Sequence, residues 1–249
     1  MQGQTGTPPD DLNPVDGAFE YRFLTDELVE LKQPIGESID FYGKTLDRTK
    51  YTTSPEVLEH SALLSVCTDN ANMVPAFCRT YIEKTGHNVV AVHTAKGSTE
   101  INYWQKGTPA YEIMSKKIKG AIKQVNPEHI YFVWLQGESD AIARTTKSEY
   151  KEQLLKLNEA LKEDFGVEKF GIVLVGRFTM DERDFEIIDA QKEVCAENDD
   201  FLMLTTITEE IIYKPEYMHA TVPGHYNTKG QNLLGTLSGT TLGEYVANK

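Results

Sequence analysis

A single α/β domain spanning residues 1–249, with a mostly parallel sheet covered by helices on both faces, follows from three features of this sequence. Short, continuous apolar runs recur from Val89 onward, apolar stripes at helical spacing separate them, and glycine, asparagine or proline closes the stripes. Continuous runs fit strands buried on both faces. Strands that alternate with helices imply crossovers, which make neighbouring strands parallel. A chain of 249 residues is long enough to bury one sizeable core.

Residues 1–70 read as an irregular N-terminal excursion and residues 71–249 as the alternating part. Pro8-Pro9-Asp10-Asp11 and Asn13-Pro14 are turn chemistry. Phe19-Glu20-Tyr21-Arg22-Phe23-Leu24, then Leu28, Leu31 and Pro34-Ile35-Gly36, are partly extended without a regular period. Val74, Phe77 and Tyr81 then share a helix face that stops at Gly86, and residues 89–92 form the first buried run. Ile113, Met114, Ile118, Ala121, Ile122 and Val125 make a second stripe ended by Asn126-Pro127, ahead of the run 130–135. Tyr150, Leu154, Leu157, Leu161 and Phe165 make a third, with Ser148 as its expected N-cap, ahead of the run 170–175. Phe185, Ile188, Val194 and Cys195 precede the last run, 201–204, and Leu233, Leu234, Leu237 and Leu242 mark a closing helix that starts near Thr228.

Composition narrows the partners. With 38 acidic against 25 basic residues the formal charge is −13, which repels a nucleic-acid backbone or an anionic membrane over most of the surface. Neither is an expected partner; a neutral ligand is. Cys67, Cys78 and Cys195 include no C-x-x-C pair and cannot all pair with one another, so a reducing, cytoplasmic setting is favoured over a disulfide framework. No apolar run approaches the ~18 residues of a membrane span. Met1-Gln2-Gly3-Gln4-Thr5-Gly6 lacks the basic and apolar regions of a signal peptide, and any such segment upstream of Met1 would lie outside this sequence. No metal-binding or phosphate-binding motif occurs, so no metal and no cofactor is expected. The oligomeric state is not encoded legibly.

Three segments carry chemistry. The run ending in Trp134-Leu135-Gln136-Gly137-Glu138-Ser139-Asp140-Ala141 delivers polar groups to a sheet edge, where α/β folds place their sites. The Gln136 amide can donate to a developing oxyanion, and Glu138 and Asp140 can orient a base or bind a hydroxyl; equally, carboxylates there can simply cap a helix. The same residues fit a G-x-S-x-A elbow with Ser139 as nucleophile, ahead of an acid such as Asp184 or Asp189 and of His225. Pro223-Gly224-His225-Tyr226-Asn227 places a histidine on a loop before the closing helix, suited to general-base work or to a surface role. Ala95-Lys96-Gly97-Ser98-Thr99-Glu100 follows a strand, with Gly97 either donating its N–H to a ligand or making a tight turn. Asn102 and Trp104 add polar and stacking surface beside it.

Together these segments resemble the SGNH hydrolases, in the branch of sialate O-acetylesterases and acetylxylan esterases, the SASA-type carbohydrate esterases. The similarity runs from Met1 to Gly235, and Trp134 to Ala141 matches the W-x-Q-G-E-S-D-A block. Gly97 fits the glycine block, and His225 with Gly230 fits the histidine block. The resemblance implies a three-layer α/β/α sandwich with a flavodoxin-like sheet and removal of acetyl groups from a carbohydrate by a serine/histidine route. It makes His225, Gln136, Gly97 and Glu138 catalytic, and Asp140, Asn102 and Trp104 substrate-binding.

Two departures from the family pattern matter. The family's nucleophilic serine lies in an opening G-Q-S-N-M motif after the first, central strand, and Met1-Gln2-Gly3 looks like the continuation of that motif from its methionine. The expectation is a sheet lacking its central strand, with an apolar slot left open, and a form without activity. The competing alignment puts Thr5 in the serine's place. Second, Val222 stands where the family often has the acid three residues before the histidine, so a backbone carbonyl or another acid would hold His225. A non-catalytic carbohydrate-binding protein remains the alternative from another class.

Overall fold

The computed structural model describes residues 6–37 and 70–249. Met1 to Thr5, with the alternative nucleophile Thr5, and His60 and Cys67 lie outside them. The architecture is α/β. Strand β1 (Ala18–Arg22) and strand β2 (Glu27–Glu30) form an antiparallel hairpin, and β1 also pairs in parallel with β3 (Val89–Ala91). A second sheet runs β4 (Tyr131–Trp134), β5 (Lys169–Val173), β6 (Phe201–Thr205), all parallel.

The hairpin corrects the expectation of an irregular excursion over residues 1–70. Acidic residues interrupt the apolar pattern there, yet Glu20 is buried because its carboxylate accepts the Gly36 N–H at 2.7 Å. Glu37 is buried in the same region, accepting the Leu24 N–H and pairing with Lys117 at 2.7 Å. Buried charges persist only when paired and hydrogen-bonded in this way.

Helices follow the predicted stripes. Helix α1 (Val74–Thr85) ends at Gly86 in the left-handed conformation, and α2 (Pro109–Val125) ends likewise at Asn126. A short α3 (Glu138–Ala143) follows β4. Helix α4 (Lys147–Phe165) starts at Thr146 rather than at Ser148, because Thr146 and Glu149 close a reciprocal capping box. Helices α5 (Arg183–Glu197), α6 (Thr208–Ile211) and α7 (Thr228–Ala247) complete the chain.

Helices α1 and α7 pack closely enough that glycines are required on α7. A Cβ at Gly235 would fall 2.2 Å from the Met73 carbonyl oxygen, and one at Gly239 would fall 2.2 Å from that of Phe77. The main core lies between the second sheet and α2, α4 and α5, centred on Phe170, Ile172, Leu154, Leu157 and Ile187. A second cluster joins α1 and α7 to the other face, and both Val89 of β3 and Tyr131 and Val133 of β4 pack on it.

Strand β3 ends one described sheet and β4 the other. Each has a partner strand on one edge only among the described residues. Burial agrees with this: every residue of β3 and the first three of β4 are half-buried, whereas Phe170 to Val173 of β5 are fully buried. The Tyr81 ring of α1 stands 6.4 Å from that of Tyr131, so both open edges lie under the same helical layer.

Candidate functional site

The C-terminal ends of β4 and β5 are fastened by α5. Gln191, fully buried, donates to the Gln136 carbonyl at 2.8 Å and accepts the Val175 N–H at 2.8 Å. The hydroxyl of Tyr150 on α4 lies 3.0 Å from both the Gln136 carbonyl and its Oε1, and accepts from Trp134 Nε1 at 3.2 Å. Burial pushes the Tyr150 phenol up, so it stays protonated and donates. Gly137 turns the chain out of the strand at φ 145°, where a Cβ would strike Ile187 at 2.6 Å. Only glycine serves there.

From this anchor the glycine loop is drawn in. Gln136 Nε2 donates one hydrogen to the Thr99 carbonyl at 2.8 Å and the other to Asp140 Oδ2 at 2.5 Å. Asp140 also accepts the Ile101 N–H at 3.0 Å and the Thr145 hydroxyl at 3.1 Å. Thr99 in turn accepts from Trp104 Nε1 at 3.1 Å. The segment 136–140 and the loop containing Gly97 are therefore joined side by side.

This geometry revises three expected roles. Both hydrogens of the Gln136 side-chain amide are already engaged, so that amide positions the loop rather than awaiting an oxyanion. Asp140 is 1 % exposed and turned inward, a hub for backbone and amide donors rather than a substrate ligand. Trp104 is 3 % exposed and packs edge-on to Trp134 at 6.2 Å, so it belongs to the core and offers no sugar platform. Asn102 is exposed on the 3-10 turn Ile101–Trp104, and Gly97 is exposed, with the positive φ falling on Ser98 instead.

Burial raises the Asp140 carboxyl to about 6, against hydrogen bonds from Gln136, Ile101 and Thr145 that pull it down. A carboxyl whose folded value exceeds its unfolded one of about 3.9 stabilises most below that value and loses the contribution as pH rises through the folded value. The stability advantage of the wild type over Asp140→Asn, read from urea midpoints, is accordingly expected to shrink between about pH 4 and pH 6.5. An advantage that widens over that range would contradict this burial-dominated account.

His225 sits on a loop laid over the end of β5. The loop is held by a bridge between Met218 and Tyr226, by the His219 N–H donating to the His225 carbonyl at 2.7 Å, and by Asn227, which caps α7 and donates to the Glu216 and Met218 carbonyls. Gly176, just past β5, lies where a Cβ would meet the Tyr226 hydroxyl at 2.5 Å. The His225 ring stands edge-on to Phe178, with centroids 5.8 Å apart. Its Nδ1 lies 2.8 Å from the Pro223 carbonyl, an acceptor that assigns the proton to Nδ1 and the lone pair to Nε2. A backbone carbonyl thus orients the ring. The negative charge of Glu138, at the first position of α3, adds to burial in raising the phenols of both Tyr150 and Tyr226, so it links the strand end to the histidine loop.

The Ser139 elbow finds little support. Ser139 is the second residue of α3, and the strained turn is at Gly137. Asp184 is 2 % exposed and spends its carboxylate on the N–H groups of Phe178, Thr179 and Met180. Asp189 is exposed on α5. The sequence reading missed Phe178, Gln191 and this use of Asp184. For Gln191 a signal existed: a lone amide in the apolar stripe of Ile187, Ile188 and Val194. Among the described residues, no group of His, Cys, Asp or Glu is arranged to hold a metal ion, and no helix is long and apolar enough to cross a membrane.

A family profile described as "Carbohydrate esterase, sialic acid-specific acetylesterase" matches residues 41–240. Among solved structures, NanS aligns with a TM-score of 0.66 at 12 % identity, covering 100 % of this chain and 94 % of its own. A protein from Arabidopsis thaliana aligns with a TM-score of 0.65 at 18 % identity, covering 94 % of this chain and 84 % of its own. At these identities the likeness is one of fold. No curated protein matches the sequence.

Proposed function

Because the chain belongs to the carbohydrate esterase, sialic acid-specific acetylesterase family, we propose that it is a serine-type esterase for O-acetylated sugars, such as sialic acid or acetylxylan, with His225 as its proton-transfer residue. Residues 1–249 act as one SGNH-type domain in this reading. The nucleophilic hydroxyl comes from a strand seated between β3 and β4, which none of the described residues supplies. That hydroxyl attacks the acetyl carbonyl while His225 Nε2 takes its proton. The proton then passes to the departing sugar oxygen, and water, activated by the same imidazole, releases acetate from the acyl-enzyme. In this reading Glu138 supplies negative charge near the histidine loop, and Gly97 supplies a backbone N–H to the oxyanion.

The observation that carries this reading is the hydrogen bond from His225 Nδ1 to the Pro223 carbonyl at 2.8 Å, which orients the imidazole without an acid. A dyad of this kind needs only a hydroxyl placed before Nε2. The chain as it stands is expected to hydrolyse p-nitrophenyl acetate no faster than its Ser139→Ala variant, in a spectrophotometric assay. Turnover that disappears with Ser139→Ala would instead make Ser139 the nucleophile.

A further inference from the structure

Among the described residues seven large apolar side chains are markedly exposed, and two of them, Phe185 and Tyr213, contact Arg177. Single exposed apolar residues are ordinary, but a group organised by one cation is not. The Arg177 guanidinium lies over the Phe185 ring at 4.7 Å, its Nη1 donates to the Tyr213 hydroxyl at 3.4 Å, and its Nη2 donates to the Asp181 carbonyl at 3.2 Å. Asp184, buried and 3.5 Å away, balances its charge and fixes the loop that carries it. Phe185 remains 47 % exposed and Tyr213 59 % exposed, so each ring keeps surface open to solvent while Arg177 contacts both. The arrangement adjoins the histidine loop, because Phe178, the next residue after Arg177, is the one that stands against His225.

The geometry points to Phe185 and Tyr213 as the platform on which a sugar ring of the substrate stacks, with Arg177 as the residue that positions both. This inference rests on the esterase reading for the identity of its ligand. The face of a pyranose carries C–H groups that pack on the negative face of an aromatic ring. Its hydroxyls can reach the Tyr213 hydroxyl and the guanidinium hydrogens left over from the two bonds above. Rings immobilised beforehand lose little freedom when a ligand arrives, which is what favours rigid aromatic anchors in recognition sites. Since Trp104 is sequestered in the core, this pair replaces it as the stacking surface beside the histidine.

The test is a titration of the purified chain with sialic acid and, separately, with a xylo-oligosaccharide, followed by saturation-transfer NMR. Phe185→Ala and Tyr213→Ala are each expected to weaken binding of one of these sugars about tenfold or more with an unchanged melting temperature, because both side chains are exposed. Tyr213→Phe, which keeps the ring, is expected to retain most of the affinity. Sugar binding that is the same in all three variants as in the wild type overturns the platform, as does the absence of binding by the wild type to either sugar. Hydrolysis of p-nitrophenyl acetate, which contains no sugar, reads the catalytic assignment separately. Its failure in a protein supplied with the nucleophile-bearing strand, beside intact, ring-dependent sugar binding, would count against the esterase chemistry and leave the platform standing.

Discussion

Supplying an apolar strand that ends in Gly-Gln-Ser-Asn-Met, seated between β3 and β4, is expected to raise acetyl-ester hydrolysis by about 10⁴-fold or more over the chain as it stands. The size follows from the chemistry. Removing a nucleophile from a serine hydrolase leaves only binding and oxyanion stabilisation, so restoring it returns most of the lost rate. The strand would pair in parallel with both neighbours, satisfying the open edges of β3 and β4 and burying the half-exposed Val89, Val90, Phe132 and Val133. The C-terminal end of a strand running parallel to β4 falls beside Gln136 and the glycine loop, the place from which a hydroxyl would face the histidine rim. Steady-state rates with p-nitrophenyl acetate and with O-acetylated sialic acid check this. Sugar binding without any gain in rate would identify a carbohydrate-binding protein that has lost catalysis.

His225→Ala in that strand-completed protein is expected to abolish the gain, lowering kcat by about 10⁴-fold or more, because nucleophile and base act as a unit.

How much of this was legible depends on where each residue finds its partners. The four runs beginning near Val89, Ile130, Phe170 and Phe201 announced themselves because strands covered on both faces are continuously apolar. The β1–β2 hairpin did not, since the burial of Glu20 depends on Gly36 and that of Glu37 on Lys117, 80 residues away in sequence. Site residues divide the same way. His225 and the segment 136–140 could be singled out from their local setting at a loop and a strand end. Asp140 and Trp104, beside them in sequence, look as polar or as suitable for stacking as any ligand-binding residue. Only the fold shows that Ile101, Thr145 and Gln136 use up the one and that Trp134 covers the other. Phe178 and Gln191 act through contacts made across the sheet ends, which no local pattern encodes.

The most direct test of the divided site is covalent labelling. A fluorophosphonate that reacts with activated serine hydroxyls, followed by peptide mass spectrometry, should leave the present chain unmodified and should modify the strand-completed protein at the serine of the added strand, with the adduct lost in His225→Ala. An adduct on Ser139, in either form of the protein, would contradict the account.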